Sequence, residues 1–488
     1  MKICFAASEC VPFAKTGGLA DVAGALPAVL KNLDHDVRVF LPLYDTIKAG
    51  DFDLTPVENL ADIPVRLGDH DRAFSLWQGE LPGTDTPVYF VDCPHYFHRG
   101  RIYTQDSDED ERFILFQNAI LIALQHMRWS PDILHCNDWQ TGLLPVFLKK
   151  TYRWDKLFAE TASVLTIHNI GYQGRFSPAA IYKAGLDYQD YYPLGPFEFH
   201  GSFCFLKAGM CYADILTTVS ETYAREIQTA EFGAGLDGVL RDRAGDLFGV
   251  LNGIDTNLWN PAKDTLIPFN YDSDDLSGKA ENKKALLSAC HLPAEKEAPV
   301  LGIIARLADQ KGFDLLPPII DELLQQDIRL VTLGSGDSGY EDMFRAMSAR
   351  YPGKNFAYIG FNNELAHLIT AGADMFLMPS RYEPCGLNQM YSLNYGTVPI
   401  VRHTGGLADT VIDYDTDPEN GTGFSFHEYN PQALLDAVRR AMALYQHQDR
   451  WREVMLRGMH ADFSWEKSAR KYVSLYRRAK QLLLDRTD

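Results

Sequence analysis

The chain has 488 residues, too many for one ordinary domain and better suited to two than to three. Hydrophobic residues make up 46% and charged residues 23%, a globular composition, while 46 Lys and Arg against 65 Asp and Glu leave a formal charge of −19. That acidity argues against nucleic-acid and anionic-membrane partners. The 8 cysteines include no C-x-x-C pair, and no apolar run reaches the roughly 18 residues of a membrane span. The first apolar run stops at Ser8 and Glu9, too short for a signal segment, so a soluble cytoplasmic protein with reduced thiols is expected.

Continuous apolar runs predict strands covered on both faces. In the first half they are residues 3–7, 37–41, 88–91, 133–136, 164–167, 215–219 and 247–251. Alternating segments between 51 and 80 break this pattern and predict an antiparallel insertion. In the second half the runs are 300–304, 330–333, 356–359, 375–378 and 398–401. Amphipathic stretches such as 112–127 and 364–373 lie between runs, which argues for two doubly wound α/β domains. A boundary is expected near 252–275, with domains at 1–252 and 253–459. Ser464 is placed to cap a last helix within 460–488, with Trp465, Ala469, Tyr472, Val473, Tyr476, Ala479 and Leu483 on one face.

One hexapeptide occurs twice: Thr16-Gly17-Gly18-Leu19-Ala20-Asp21 and Thr404-Gly405-Gly406-Leu407-Ala408-Asp409. Each copy follows a predicted strand and opens a helical pattern. Both are therefore expected to aim a glycine turn and a helix N-terminus at one shared anion.

Ligands of open parallel sheets bind beyond the carboxyl ends of the strands. There the first half places Lys15, Asn137, Asp138, Trp139, His168, Asn169 and Asn252; the second places Arg306, Lys311, Glu383, Cys385 and His403. Lys15, Arg306 and Lys311, with two glycine turns, suit a diphosphate that gains negative charge as it leaves. Glu383 suits sugar hydroxyls or a cationic sugar carbon. The site is expected between the two domains.

Gly334-Ser335-Gly336-Asp337-Ser338-Gly339 matches a dinucleotide fingerprint after a strand, which raises an NAD-dependent dehydrogenase as a competing reading. That fold wants an acid at the end of the next strand, and Tyr358-Ile359-Gly360-Phe361 supplies none. The triplets Asp34/Asp36, Asp106/Asp108 and Asp413/Asp415 follow no core strand, and the histidines lack metal-ligand spacing, so neither a metal nor a cofactor is expected.

Taken together, residues 15–22, 135–139, 168–170 and 252–255, Arg306 with Lys311, and residues 381–387 resemble the bacterial glycogen synthase family, over essentially the whole chain. This is the ADP-glucose branch shared with plant starch synthases. The resemblance implies a GT-B fold: two Rossmann-like domains facing across a cleft, the last helix returning to the first. It implies a retaining transferase that carries glucose from ADP-glucose to the non-reducing end of an α-1,4-glucan, glycogen or a maltooligosaccharide. It further implies Lys15, Arg306 and Lys311 on the donor phosphates, with Thr404 and Gly405 binding phosphate as well. Glu383 would hold the glucose with the amides of Cys385, Gly386 and Leu387. His168 and Asn252 fall on the sugar side, Asp138 near the acceptor and Tyr358 beside adenine; Gly17, Gly18, Asp21 and Asn169 complete the substrate-binding set. The same residues would also suit a UDP-glucose-dependent enzyme of this fold, or a non-catalytic glucan-binding protein. No second carboxylate stands out to pair with Glu383 at the ~5 Å of a retaining glycosidase.

Overall fold

The computed structural model describes residues 1–294 and 298–485. The chain divides into two compact units. Unit 1 comprises Met1–Val219, Ala224–Val250 and Trp465–Asp488; unit 2 comprises Ser220–Tyr223 and Leu251–Ser464.

Unit 1 is built on a 10-stranded sheet. Its parallel part runs Leu247–Gly249, Ile215–Thr218, Ala162–Ile167, Ile133–Asn137, Lys2–Ala6, Asp36–Pro42, Pro87–Asp92. Every residue of Ile133–Asn137 and Ala162–Ile167 is buried, as continuous apolar runs require when helices cover both faces. His70–Glu80 and Ile63–Leu67 add the antiparallel edge, where burial alternates along the strand and one face stays wet. The helix Trp465–Asp485 closes the unit against the helix Gly18–Asn32 and the strand Ala162–Ile167. Trp465, Ala469, Tyr472, Val473, Tyr476 and Ala479 are buried along it, whereas Leu483 is half-buried near its end. Each large side chain so buried contributes about 2 kcal/mol. The Tyr476 hydroxyl lies 2.7 Å from Nδ1 of His135, whose Nε2 lies 2.7 Å from Thr166 Oγ1.

Unit 2 carries a six-stranded parallel sheet in the order Asn355–Ile359, Arg329–Gly336, Val300–Leu307, Met375–Met378, Val398–Arg402, Phe424–Phe426. Its helices use local caps: the Asn362 side chain accepts the Leu365 N–H, and Asn430 accepts that of Ala433 ahead of Pro431. The expected boundaries shift slightly. Leu251 and Asn252 belong to unit 2, and residues 460–464 stay with it because Ile254 N–H donates to Phe463 O at 2.9 Å, beside an Ile254–Ser464 parallel bridge.

In each unit the strand order reverses at one place. Lys2–Ala6 and Ile133–Asn137 are neighbours whose connections leave toward opposite sides; so are Val300–Leu307 and Met375–Met378. Loops diverge at such a point and open a crevice at the carboxyl edge of the sheet. Among the described residues no helix is long and apolar enough to cross a membrane.

Candidate active site

At the reversal in unit 1, the loop after Lys2–Ala6 carries Lys15, and the turn after Ile133–Asn137 carries Asp138. The backbone of Asp138 sits at φ 56°, ψ −170°, a region costly for any residue but glycine. Its Oδ1 accepts the His168 N–H at 2.7 Å, which joins this turn to the next strand end. Burial pushes the Asp138 carboxyl up to about 7, against the amides of His168 and Asn169 that favour its charge. His168 is buried and held down at about 3, so its ring is neutral at physiological pH. Its Nε2 donates to Asn137 Oδ1 at 2.8 Å, which leaves Nδ1 as the acceptor nitrogen. Lys15 is exposed and pairs with Asp21 at 2.7 Å; burial pushes the Asp21 carboxyl up, opposed by the Lys15 charge. Gly17 and Gly18 face open space, with no atom within 4 Å of where a Cβ would stand.

Asp138→Asn is expected to change how stability depends on pH. A carboxyl raised from about 4 to about 7 on folding favours the folded state below pH 4. That contribution is lost as pH rises through 7, on the order of 4 kcal/mol in all. The melting temperature of the asparagine variant should therefore gain on wild type between pH 4 and pH 8. Parallel curves would show that the carboxyl titrates normally.

The reversal in unit 2 brings two loops together. Lys311 ends a single 3-10 turn, and Gly312 follows at φ 73°. A Cβ on Gly312 would lie 2.0 Å from the Pro379 carbonyl oxygen, so glycine is what lets the Lys311 loop approach the Pro379–Glu383 segment. Lys311 Nζ lies 2.6 Å from Glu383 Oε2, which also accepts from Ser380 Oγ at 2.9 Å. Arg306, at the exposed strand end, donates to Gln310 at 3.4 Å, and Gln310 donates to the Tyr382 carbonyl at 3.3 Å. Cys385 is buried, its thiol pushed up to about 12 by burial while the Asn252 N–H points at it. That thiol is an inert packing group. Among the described residues the buried Oδ1 of Asn252 has no hydrogen-bond partner, an acceptor that favours a site where a donor is bound. Gly386 has φ 72°, Leu387 is half-buried, and Thr404 is buried at the start of the short helix Gly405–Thr410. Tyr358 stands apart at the end of Asn355–Ile359 and is 38% exposed.

The repeated hexapeptide does two different things. In the second copy a Cβ on Gly405 would fall 1.9 Å from the Glu383 carbonyl oxygen, and one on Gly406 would fall 2.1 Å from that of Cys385. Its glycines pack a backbone; those of the first copy stay open. Sequence also missed Glu9, which reads there as the polar end of a strand. In the structure it is buried and gathers the N–H groups of Thr16 and Gly17.

The dinucleotide fingerprint has a structural cause. Gly334 and Gly336 lie inside the strand Arg329–Gly336, where a Cβ on either would come within 2.2 Å of the carbonyl oxygen of Ala305 or Leu307 on the neighbouring strand. The aspartate triplets are likewise engaged: Asp106 and Asp108 with Arg99, Asp413 and Asp415 with Arg440, and Asp36 with the Trp129 ring N–H. Among the described residues no cluster of three or more His, Cys, Asp or Glu is placed to hold a metal.

Comparison with known proteins places the chain in a family. Residues 2–242 match the family model of the starch synthase catalytic domain, and residues 291–455 match that of glycosyl transferases group 1. The chain is 48% identical to a glycogen synthase of Syntrophotalea carbinolica, covering 99% of each chain. It is 49% identical to one of Desulforudis audaxviator, covering 98% of this chain and 96% of that one. The catalytic domain of starch synthase IV from Arabidopsis thaliana, solved bound to ADP and acarbose, superposes with a TM-score of 0.90 at 34% identity, covering 98% of this chain and 99% of that one. A sucrose-phosphate synthase from Thermosynechococcus elongatus, at 17% identity and a TM-score of 0.58 over 98% of each chain, shares the fold alone. The two α/β units are those of the GT-B class.

Proposed function

This chain belongs to the glycogen synthase family, and from that premise we propose a retaining glucosyltransferase that moves glucose from ADP-glucose to the non-reducing end of an α-1,4-glucan. The observation that carries the reading is the Lys311–Glu383 pair at the sheet reversal of unit 2, with Arg306 one loop away. A cation for the leaving diphosphate and a carboxylate for the sugar are thus held side by side by loops that only glycine lets approach. The starch synthase solved with ADP and acarbose supports ADP as the leaving nucleotide and a maltooligosaccharide-like acceptor.

In this reading Arg306 and Lys311 neutralise the diphosphate as it departs, and Lys15 contacts a donor phosphate. Glu383 and the amides of Cys385, Gly386 and Leu387 hold the glucose, and Thr404 with Gly405 takes a phosphate oxygen. Asn252 and the neutral His168 hydrogen-bond sugar hydroxyls without bringing charge. Asp138 faces the acceptor side, Gly17, Gly18, Asp21 and Asn169 complete the substrate-binding set, and Tyr358 lies along adenine. Glu383 is committed to Lys311 and Ser380, which disfavours it as a nucleophile. The acceptor hydroxyl therefore attacks C1 from the face the diphosphate leaves. The C1–O bond to phosphate breaks, the new C1–O bond forms, and the hydroxyl proton passes to the departing phosphate oxygen.

Incubation with ADP-glucose and maltooligosaccharide is expected to release ADP and lengthen the glucan, with UDP-glucose turning over more slowly. A fluorinated donor should leave no glucose on the protein by mass spectrometry. Folded protein that releases no ADP ends the reading; a trapped glucosyl-enzyme ends the front-face mechanism.

A further inference from the structure

Lys15 is the cation that the proposed function places on a donor phosphate, yet its side chain is 54% exposed and its close partner, Asp21, is itself 25% exposed. An exposed pair of that kind contributes little and cannot by itself fix where the ammonium stands. The placement comes from underneath. Glu9 is 4% exposed and uses both carboxylate oxygens. Oε2 accepts the N–H groups of Thr16 at 2.5 Å and Gly17 at 2.9 Å, while Oε1 accepts the Thr16 hydroxyl at 2.7 Å and the Tyr103 hydroxyl at 2.6 Å. On the other flank Cys10 and Ala14 exchange both backbone hydrogen bonds at 2.9 Å. Lys15 thus sits between two residues whose backbones are pinned.

We propose that Glu9 is a positioning residue: it sets the backbone of the Lys15-Thr16-Gly17-Gly18 turn so that Lys15 and the open glycine face meet the donor diphosphate. The inference rests on the function proposed above and deepens it. None of the four donors is a cation, so the carboxylate holds the turn by charge-assisted hydrogen bonds alone. It also decides which amides remain for substrate. The N–H groups of Thr16 and Gly17 are spent on Glu9, so an incoming anion meets Lys15 and the amides from Gly18 onward. The second hexapeptide copy shows a different construction, in which glycines pack directly on the Glu383 and Cys385 carbonyls. The first copy keeps its glycines clear and takes its rigidity from a carboxylate in the loop that follows the strand Lys2–Ala6.

The test is a double-mutant cycle on the full chain with E9Q, E9A and K15A, measuring kcat and KM for ADP-glucose and UDP-glucose beside thermal melting. E9Q keeps one oxygen for the two amides, and the facing hydroxyls can turn to accept from its NH2, so it is expected to fold as wild type does. Its kcat/KM for the donor should fall roughly tenfold, and that of E9A roughly a hundredfold, the scale of a displaced catalytic group. In the K15A background either change should cost less than about twofold, because the effect runs through Lys15. Losses that multiply in the double variants, or an E9Q enzyme with unaltered kinetics, overturn the inference while leaving the function standing. A folded wild-type chain that turns over neither donor overturns the function itself.

Discussion

Lys311→Ala is expected to cut kcat by about two to three orders of magnitude, the effect of removing one preorganised donor to a developing negative charge. The ammonium is fixed before substrate arrives. The Asp309–Lys311 turn ends in Gly312, whose missing side chain lets the loop touch Pro379, and the 2.6 Å contact with Glu383 holds the lysine head at the sheet edge. Little reorganisation then remains when the diphosphate departs. The substitution has a second consequence, because Glu383 is 5% exposed and would lose its cation while keeping the Ser380 hydroxyl. Removing one partner of a buried pair costs about 3–5 kcal/mol. Lys311→Ala should therefore also lower the melting temperature of unit 2. Arg306 is exposed and its side chain donates to Gln310 at 3.4 Å, so Arg306→Ala should show a comparable loss of kcat at unchanged melting temperature. A rise in donor KM at constant kcat, in either variant, would mean that these cations bind ground state and transition state alike.

The parallel strands were legible because burial on both faces writes itself into continuous apolar runs, and every such run falls on a strand. The three-residue strand Phe424–Phe426 was not, since Ser425 interrupts the continuous apolar run that marks the others. The candidate residues Asp138, His168, Arg306 and Glu383 were legible as a set because all lie at or just beyond strand ends. What stayed hidden were contacts between distant positions that no spacing encodes. Glu9 acts across a loop on residues seven and eight positions away, through oxygens that could equally have faced solvent. The Lys311–Glu383 contact spans 72 residues. Glycine misled most, because the letter records that a side chain is absent and not what occupies the space. Gly334 and Gly336 clear a neighbouring strand, Gly405 clears a loop, and Gly17 clears nothing in the protein.

That difference makes Gly405→Ala and Gly17→Ala a matched pair with opposite expected results. At 405 the backbone is left-handed, φ 46°, which costs an alanine about 1–2 kcal/mol before any contact is counted. The added methyl would also stand 1.9 Å from the Glu383 carbonyl oxygen, a backbone atom that cannot swing aside. Relief requires moving the Glu383–Leu387 segment, whose place is set by Gly406 N–H donating to that same carbonyl at 3.0 Å and by Lys311 on the side chain. A shift of about 1 Å there should lower kcat by a hundredfold or more, with a lower melting temperature. At 17 the backbone is extended, φ −143°, and the methyl meets nothing. Gly17→Ala should melt with wild type, and any loss of activity must come from substrate meeting that methyl. A Gly405→Ala enzyme with normal kinetics would mean that the donor loop tolerates displacement, and a Gly17→Ala enzyme with normal kinetics would place the diphosphate away from the open turn.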